Sequence, residues 1–405
     1  MDLRDTPDEA AFRAELRAWL DTNLPEERRG GRGGAQRFDD SFGREWSKLL
    51  YEGGYAGLTW PKEYGGAGAP YSFQAIFYEE MARANAPGHV GVIGLGMAGP
   101  TIMAHGSEEQ KQAHLSKILS AEEIWCQGFS EPDAGSDLAA ARTRAERRGD
   151  VYVVNGQKVW SSFAHIADFC ILVTQSDPEA PRYQNLTYLI VDMHAPGVEV
   201  RPLRQMTGGA SFNEVFLNEV RVPDSHRLGD VNQGWSVALT TLMNERASIG
   251  AGGGGGAGGQ MARIIETVRH YGLDTDPITR QKLADLWIHL RVASYTNQRA
   301  MDRIKSGQLP GPEMSIAKLA LTQNMQQMAE FVATLLGPKI TADQGEWGTY
   351  SWNQFVLGIP GMRIAGGSDE VMRNIVGERV LGLPKDAGID STTPFRDLKV
   401  GTQNK

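Results

Sequence analysis

The chain has 405 residues, 22% of them charged, and a net charge of −8. That length allows two or three domains with large buried cores, and the acidic balance excludes the basic footprint of a nucleic-acid-binding protein. No apolar run is long enough to span a membrane, and the N-terminus is acidic rather than a signal peptide, so we expect a soluble cytoplasmic protein with no membrane partner. The two cysteines, Cys126 and Cys170, lie in apolar stretches and are interpreted as small buried side chains in a reducing compartment.

The first third of the chain has the hydrophobic period of helices. Thr6, Pro7 and Glu9 have the spacing of a capping box with proline in the first turn, which predicts a helix start. Residues 27–38 are rich in glycine and arginine and predict a mobile loop. Further helices are expected over residues 42–52, 72–84 and 108–119.

From residue 124 the period changes to that of short strands. Residues 151–154 and 157–160 flank Asn155-Gly156, a dipeptide typical of a two-residue hairpin turn. No helical segments separate the strands, so an antiparallel β domain is predicted near residues 123–228. Its other strands are expected at residues 169–173, 186–191, 198–200, 214–217 and 219–222.

After residue 232 the helical period returns, with helices expected at 283–301, 315–336 and 369–381. The predicted fold class is therefore α+β. We divide the chain into an N-terminal helical domain (1–122), a middle β domain (123–228), a C-terminal helical bundle (229–385) and a polar tail (386–405) that lies on the surface or on a partner.

One stretch, residues 125–137, runs from an apolar strand into a tight polar loop. Gly135 permits unusual backbone angles, and Ser130 and Ser136 offer short polar side chains. Further along, Trp160 stands beside two more hydroxyls, at Ser161 and Ser162. From the residues alone this pattern fits either a site for a flat polar ligand or an ordinary strand and turn.

The stretch 131–137, Glu-Pro-Asp-Ala-Gly-Ser-Asp, followed by Asn155–Trp160, resembles the flavin-binding signature of the acyl-CoA dehydrogenase family. Residues 375–384 resemble that family's last helix, and the similarity extends over about residues 5–385. The resemblance implies a β-barrel-like middle domain, a C-terminal four-helix bundle, FAD as cofactor and an acyl-CoA substrate. It also implies an electron-transfer flavoprotein as electron acceptor and a homo-oligomer, dimer or tetramer, or a complex with a related subunit.

The resemblance also assigns residues to FAD. Arg269, in Arg-His-Tyr-Gly, matches an arginine that pairs with the pyrophosphate of FAD in a neighbouring subunit. Arg280 replaces the glutamine expected further on, and residues 334–338 depart from the usual Gln-x-x-Gly-Gly, which puts those contacts between subunits in doubt. The residues assigned to FAD are Gln127, Phe129, Ser130, Gly135, Ser136, Trp160, Ser162, Arg269, Arg280, Ser368 and Glu370.

The catalytic base is absent from its most common position, because Gly366 occupies the position at which many family members have a glutamate. Leu242-Met243-Asn244-Glu245-Arg246 resembles the Leu-x-x-Glu-Arg stretch that supplies the base in isovaleryl-CoA dehydrogenase and some long-chain members. Glu245 is therefore the predicted base. Asp369 and Glu370, at a helix start where acids favour the macrodipole, are the alternatives.

Two glycine features concern the acyl group. Gly366 keeps a role through its backbone, since a free N–H there would bind the thioester oxygen. The run 250–259 is almost all glycine; it is either a flexible linker or a helix without side chains that leaves room for a bulky, branched or steroid-side-chain acyl group. Ser136, Arg246, Gly253 and Gly254 are the predicted substrate contacts. Three histidines at 165, 194 and 226 have no metal-ligand spacing and no metal is predicted.

The predicted activity is the FAD-dependent introduction of a 2,3-double bond into an acyl-CoA. One alternative is an oxidase or monooxygenase on the same fold, which would release hydrogen peroxide under air. Another is a non-catalytic subunit of a mixed tetramer, which the FAD content of the chain expressed alone would distinguish.

Overall fold

The computed structural model describes residues 5–25, 40–84, 86–305, 311–342, 349–385 and 391–398. Helices occupy the N-terminal part, strands the middle and helices again the C-terminal part, so the predicted α+β class is confirmed. The loop predicted at 27–38 lies outside the described residues. None of the described helices combines the length and apolar character that crossing a bilayer requires.

The N-terminal helices begin where their caps predict. Thr6 accepts from the Glu9 N–H at 3.3 Å while its own N–H donates to the Glu9 carboxylate at 2.9 Å, and Ser107 and Gln110 repeat this capping box before a later helix. The helices are α1 Pro7–Asn23, α2 Asp40–Glu52, α3 Tyr71–Arg83, α4 Gly99–His105 and α5 Glu108–Ser120.

A buried carboxylate joins α1 to α3. Glu80 is 2% exposed and accepts from Arg17 Nε at 2.7 Å, Arg13 Nη1 at 2.9 Å and Arg83 Nε at 2.6 Å. Burial disfavours the charged form, but the three arginines outweigh it and lower the pKa of Glu80 to about 2. The ionised carboxylate therefore stabilises the packing of these two helices.

Glu80→Gln should lower the free energy of unfolding by about 2 to 3 kcal/mol at neutral pH, because the folded-state pKa is depressed by more than two units. A depressed pKa contributes stability that is present above the unfolded value near 4.5 and is lost as pH falls towards 2. The difference between the variant and the wild type should therefore shrink in urea unfolding at about pH 3. Glu79→Gln, which removes a 58% exposed partner of Arg13, is the matched control and should cost less than about 1 kcal/mol. An equal gap at both pH values would contradict this account.

The middle of the chain forms an eight-stranded sheet. The strands are β1 Trp125–Gly128, β2 Arg144–Arg148, β3 Val151–Ser162, β4 Phe169–Gln175, β5 Leu186–Asp192, β6 Val198–Leu203, β7 Phe212–Pro223 and β8 Arg227–Leu228. Their order in the sheet is β6-β7-β3-β2-β4-β5-β8, with β1 paired to β4. The pairing is antiparallel except that β1 lies parallel to β4 and β2 meets β4 at one parallel bridge. The connection from β1 to β4, all of whose residues the structure describes, contains a single 3-10 turn at Leu138–Ala140 and the β2–β3 hairpin, and no α-helix.

The hairpin predicted at Asn155-Gly156 is wrong, because β3 continues through both residues. The β2–β3 turn instead lies at residues 149–150. Gly156 is required for close packing, since a Cβ there would lie 2.6 Å from Thr143 Oγ1. The Asn155 side chain bonds across to Glu219 of β7 at 2.7 Å. The dipeptide therefore marks an irregularity inside a long strand pair.

The C-terminal helices are α6 Gly234–His270, α7 Pro277–Lys305, α8 Met314–Leu336, α9 Thr349–Ile364 and α10 Asp369–Ile375. Helix α6 continues through the glycine-rich run, so residues 250–259 are helical and not a flexible linker. The room for an acyl group beside them stays a prediction. Helix α9 was not predicted from the sequence, because Pro360 lies inside it and its apolar residues are distributed around the whole helix rather than along one face.

Two apolar clusters cover the two faces of the sheet. The first joins β1, β4 and β5 to the N-terminal helices and the start of α6, with Trp125, Tyr188 and Val237 among its members. The second fills the other face around Val154 and Leu189. Both cysteines belong to it, unpaired and buried as predicted, on facing positions of β1 and β4.

The tail does not extend away from the molecule over residues 391–398. Phe395 N donates to Ala180 O and Arg396 N to Pro178 O, both at 3.0 Å, and Leu398 packs on Ala134 in the loop after β1. This part of the tail therefore lies on the surface of its own chain.

Candidate active site

The loop after β1 is tied to β3 immediately before Trp160. Val159 N donates to Ser130 O at 2.9 Å, and the ammonium of Lys158 donates to Phe129 O at 3.0 Å. These bonds bring Phe129 and Ser130 beside the β3 segment that carries Trp160. The two halves of the predicted flavin site are therefore together in the fold.

Glu131 closes the base of the same loop. Its carboxylate accepts from the backbone N–H of Arg142 at 2.7 Å and of Thr143 at 2.8 Å, and from Lys158 Nζ at 2.8 Å. Burial works against the charge, but Lys158 and the N–H donors hold the pKa of Glu131 below its ordinary value. Sequence analysis used Glu131 only as part of a motif; the structure shows it as the anchor of that motif, with Asp137 at the far end paired to Arg182.

Trp160 is presented to solvent at an irregular point of the sheet. Its side chain is 60% exposed, its φ is +62°, and the β3–β7 register shifts between Lys158 and Ser161. A large residue rarely adopts such an angle unless the surroundings require it, and such positions cluster at functional sites. The indole and the Phe212 ring pack edge to face, with their ring centroids 6.0 Å apart. The bulge therefore turns a flat aromatic surface outward.

The residues around this surface fit an isoalloxazine ring. Gln127 Nε2 and Ser161 Oγ are buried and have no hydrogen-bond partner within the described ranges, which is unusual unless a ligand supplies one. Gly135 and Ser136 are exposed, and a Cβ added at Gly135 would meet nothing within 4 Å. The structure thus gathers an aromatic surface, orphaned polar atoms and an open loop, which suits a flat ring with several donors and acceptors.

Tyr188 of β5 links this loop to α6. Its ring lies edge-on to Phe129, with centroids 5.9 Å apart, and its hydroxyl is 2.8 Å from Thr241 Oγ1. Glu245 follows Thr241 by about one turn, is 9% exposed, and adds to the rise in the pKa of Tyr188 that burial causes. Tyr188, which sequence analysis did not single out, therefore joins Phe129 to the turn of α6 just before Glu245.

The turn between α9 and α10 carries Gly366 and Gly367, at φ of +65° and +94°. Ser368 caps α10 by accepting from Val371 N at 3.3 Å. Asp369 is 1% exposed and accepts from Thr322 Oγ1 and from Arg363 Nε, both at 2.8 Å. These bonds make Asp369 a structural carboxylate and leave it poorly suited to act as a base.

The remaining predicted residues belong to α6, α7 and α10 rather than to the loop after β1. Glu370 is exposed and 3.7 Å from Arg373. Arg269 is an exposed residue in the last turn of α6, and Arg280, in the first turns of α7, donates to Asp274 O at 3.0 Å. Arg246, Gly253 and Gly254 lie in α6, but the structure describes no side-chain contacts for that segment. Their predicted roles stay predictions.

Three family models together match most of the chain between residues 6 and 381. They are "Acyl-CoA dehydrogenase, N-terminal domain" over residues 6–122, "Acyl-CoA dehydrogenase, middle domain" over 126–220 and "Acyl-CoA dehydrogenase, C-terminal domain" over 232–381.

Individual relatives agree with these models. Acyl-CoA dehydrogenase IpdE1 of Mycobacterium tuberculosis is 38% identical over 381 residues, which cover 93% of this chain and 98% of the relative. A solved structure described as the Tcur3481-Tcur3483 steroid ACAD superposes with a TM-score of 0.84 at 32% identity, covering 95% of this chain and all of that one. The ChsE4-ChsE5 complex from Mycobacterium tuberculosis gives 0.80 at 30% identity, with 95% of this chain and 100% of that chain covered.

Proposed function

The chain belongs to the acyl-CoA dehydrogenase family, and from that premise we propose that it oxidises a bulky acyl-CoA to the 2,3-enoyl-CoA with FAD as cofactor. The acyl group is branched, cyclic or derived from a steroid side chain. Glu245 is the catalytic base, and the electrons leave the enzyme to an electron-transfer flavoprotein.

The chain's own groups have distinct tasks in this reaction. Gln127, Phe129, Ser130, Trp160 and Ser162 hold and orient the flavin. Glu245 removes a proton from C2 of the acyl group, and the Gly366 N–H donates to the thioester oxygen as negative charge develops on it. Bound FAD supplies the acceptor for the hydride that leaves C3. The proton on Glu245 is later released to solvent.

The single observation that carries this proposal is that Phe129 and the turn of α6 just before Glu245 are both in contact with Tyr188. The base must lie near the substrate carbon that faces the flavin, and these two residues are more than a hundred positions apart in sequence. Tyr188 contacts the first through its ring, and its hydroxyl is bonded to Thr241, about one turn before Glu245.

The proposed substrate class is supported by α6 and by one relative. Helix α6 continues from Glu245 through residues 250–259 although each glycine costs a helix about 1 kcal/mol relative to alanine. A helix that tolerates this cost gains a surface without side chains next to its catalytic residue. The solved relative described as a steroid ACAD is consistent with a large, rigid acyl group there.

The proposed assembly is supported by α7. Ile278, Ile288 and Val292 are each more than half exposed and, by helical periodicity, lie on one side of α7. Exposed large apolar side chains grouped on one face commonly mark a protein interface. We assign this face to a second copy or a related acyl-CoA dehydrogenase subunit. Arg269 and Arg280 would then be placed to reach the FAD pyrophosphate of the adjoining chain.

The activity is tested by mixing the FAD-loaded protein with a panel of acyl-CoA thioesters without oxygen and following loss of the flavin's visible absorbance. Bulky acyl groups should bleach the flavin and straight short chains should not. Oxygen consumption with peroxide release in every turnover would favour the oxidase alternative. Absence of FAD unless a second subunit is coexpressed would favour the mixed tetramer.

The panel also tests the role of the glycine run. Gly253→Leu should reduce bleaching by bulky thioesters at least about tenfold relative to short ones, since one misplaced side chain is worth roughly 1–3 kcal/mol in an apolar pocket. Ala262→Leu, at an exposed position of the same helix outside the glycine run, is the matched control. Equal selectivity in the two variants would show that this part of α6 does not line the acyl pocket.

A further inference from the structure

Lys318 of α8 is a buried cation without a role in the proposed chemistry. It is 2% exposed, and its ammonium donates to Gly367 O at 2.7 Å and to Arg363 O at 3.2 Å. It also lies 3.5 Å from Asp369 Oδ1. Burying an ammonium is unfavourable unless its hydrogen bonds are all satisfied, so these three acceptors fix the position of Lys318 closely.

The acceptors come from both sides of one turn. Arg363 lies in the last turn of α9, Gly367 lies in the connection, and Asp369 begins α10. Asp369 is itself held by Thr322 of α8 at 2.8 Å, so the whole turn is fastened to α8. The other charged groups near this network are Glu370, which is exposed, and the partly exposed guanidinium of Arg363.

The turn needs this support because its backbone is unusual. Gly366 and Gly367 both have positive φ, and each glycine has more conformational freedom to lose than any other residue. The Ala365 N–H still bonds to Gly361 O at 2.9 Å, whereas the Gly366 N–H donates to no acceptor in the part of the chain that the structure describes. A planar peptide whose neighbours are fixed points its N–H in one direction.

We propose that Lys318 is a positioning residue for the thioester: by holding the carbonyls of Arg363 and Gly367, it aims the Gly366 N–H at the substrate oxygen. This inference rests on the proposed function. Lys318 touches neither substrate nor flavin. It acts by keeping the donor oriented before charge develops on the oxygen, which is when a preorganised donor contributes most.

The test uses an acyl-CoA with sulfur in place of C3, bound to the FAD-loaded enzyme. This probe loses its C2 proton but has no C3 hydride to give, so an enolate accumulates and is detected by long-wavelength absorbance beside the flavin. Lys318→Met should raise the pH of half-formation by about two units, because losing one oriented donor costs roughly a hundredfold in oxyanion stabilisation. Lys318→Arg should recover part of the shift, and Lys282→Met, an exposed lysine of α7, should cause none.

A second measurement does not need an acyl ligand. Amide hydrogen exchange in residues 364–368 should accelerate at least about tenfold in Lys318→Met, while exchange in β1 and β3 stays unchanged. If Lys318→Met does not fold, Asp369→Asn takes its place. That variant should give a smaller shift in the same direction, since the remaining bonds to Arg363 and Gly367 hold only part of the turn.

The outcomes separate this inference from the function on which it rests. A wild-type enolate band whose pH dependence is the same in Lys318→Met, or in Asp369→Asn where that variant is used, overturns the role of Lys318 alone. A wild type that forms no enolate with any such probe overturns the proposed function, and the positioning role falls with it. A shifted band with accelerated exchange confined to the turn supports both.

Discussion

Glu245→Gln is expected to keep FAD and to bind acyl-CoA, yet to reduce its flavin at least about a hundredfold more slowly than the wild type. Glutamine has nearly the shape of glutamate but does not accept the C2 proton, so the loss falls on the chemical step rather than on binding. Stopped-flow measurement of flavin bleaching under single-turnover conditions gives the rate directly.

The matched control is Glu266→Gln, which removes an exposed carboxylate from the same helix and should leave the rate within about twofold of the wild type. Near-normal reduction in Glu245→Gln would contradict the assignment of the base. Asp369 would not replace it, because its oxygens bond to Thr322 and Arg363. Glu370 would then be the carboxylate to test, since it is exposed next to the glycine turn.

Sequence analysis predicts the site from local signals. The capping box at Thr6 and the strand-to-loop pattern around Phe129 depend on neighbours in sequence, and both are found in the structure. The change from helical to strand periodicity near residue 124 likewise follows from which face of each element is buried. These features are set by residues close together in the chain, which a single sequence displays.

Contacts between distant segments were not predictable in this way. Tyr188 looked like one more residue of an apolar strand, and Lys318 like one charge on an amphipathic helix. Tyr188 bonds to Thr241, more than fifty positions later in the chain, and Lys318 bonds to Gly367, nearly fifty positions later. The turn predicted at Asn155-Gly156 is wrong for a related reason. The sequence does not distinguish a glycine that is needed for close approach to Thr143 from a glycine that is needed for a turn.

Substitution of Lys158 should have the other large effect, because Lys158 is a fully buried cation that holds the loop after β1, the loop proposed to bind the flavin. Its ammonium donates to Phe129 O and to Glu131, and neither Lys158 nor Glu131 is more than 9% exposed. Lys158→Met leaves the Glu131 carboxylate buried without its cation, which typically costs about 3–5 kcal/mol. We expect that loss in urea unfolding, together with FAD affinity weakened at least about tenfold, since the loop also loses a charged hydrogen bond.

The double variant Lys158→Met with Glu131→Leu separates the two effects. Replacing a buried ion pair by apolar groups is often neutral, so the double variant should recover part of the unfolding free energy. The rest stays lost because the N–H groups of Arg142 and Thr143 no longer have the carboxylate as acceptor. The double variant should not recover FAD affinity, because the bonds to Phe129 O and to the N–H groups of Arg142 and Thr143 are still missing. Lys117→Met, which removes a half-exposed partner of Glu123, should cost less than about 1 kcal/mol. If the double variant regained both stability and FAD, the buried pair would serve only the fold, and the flavin would be held by Trp160 and its neighbours without help from the loop anchor.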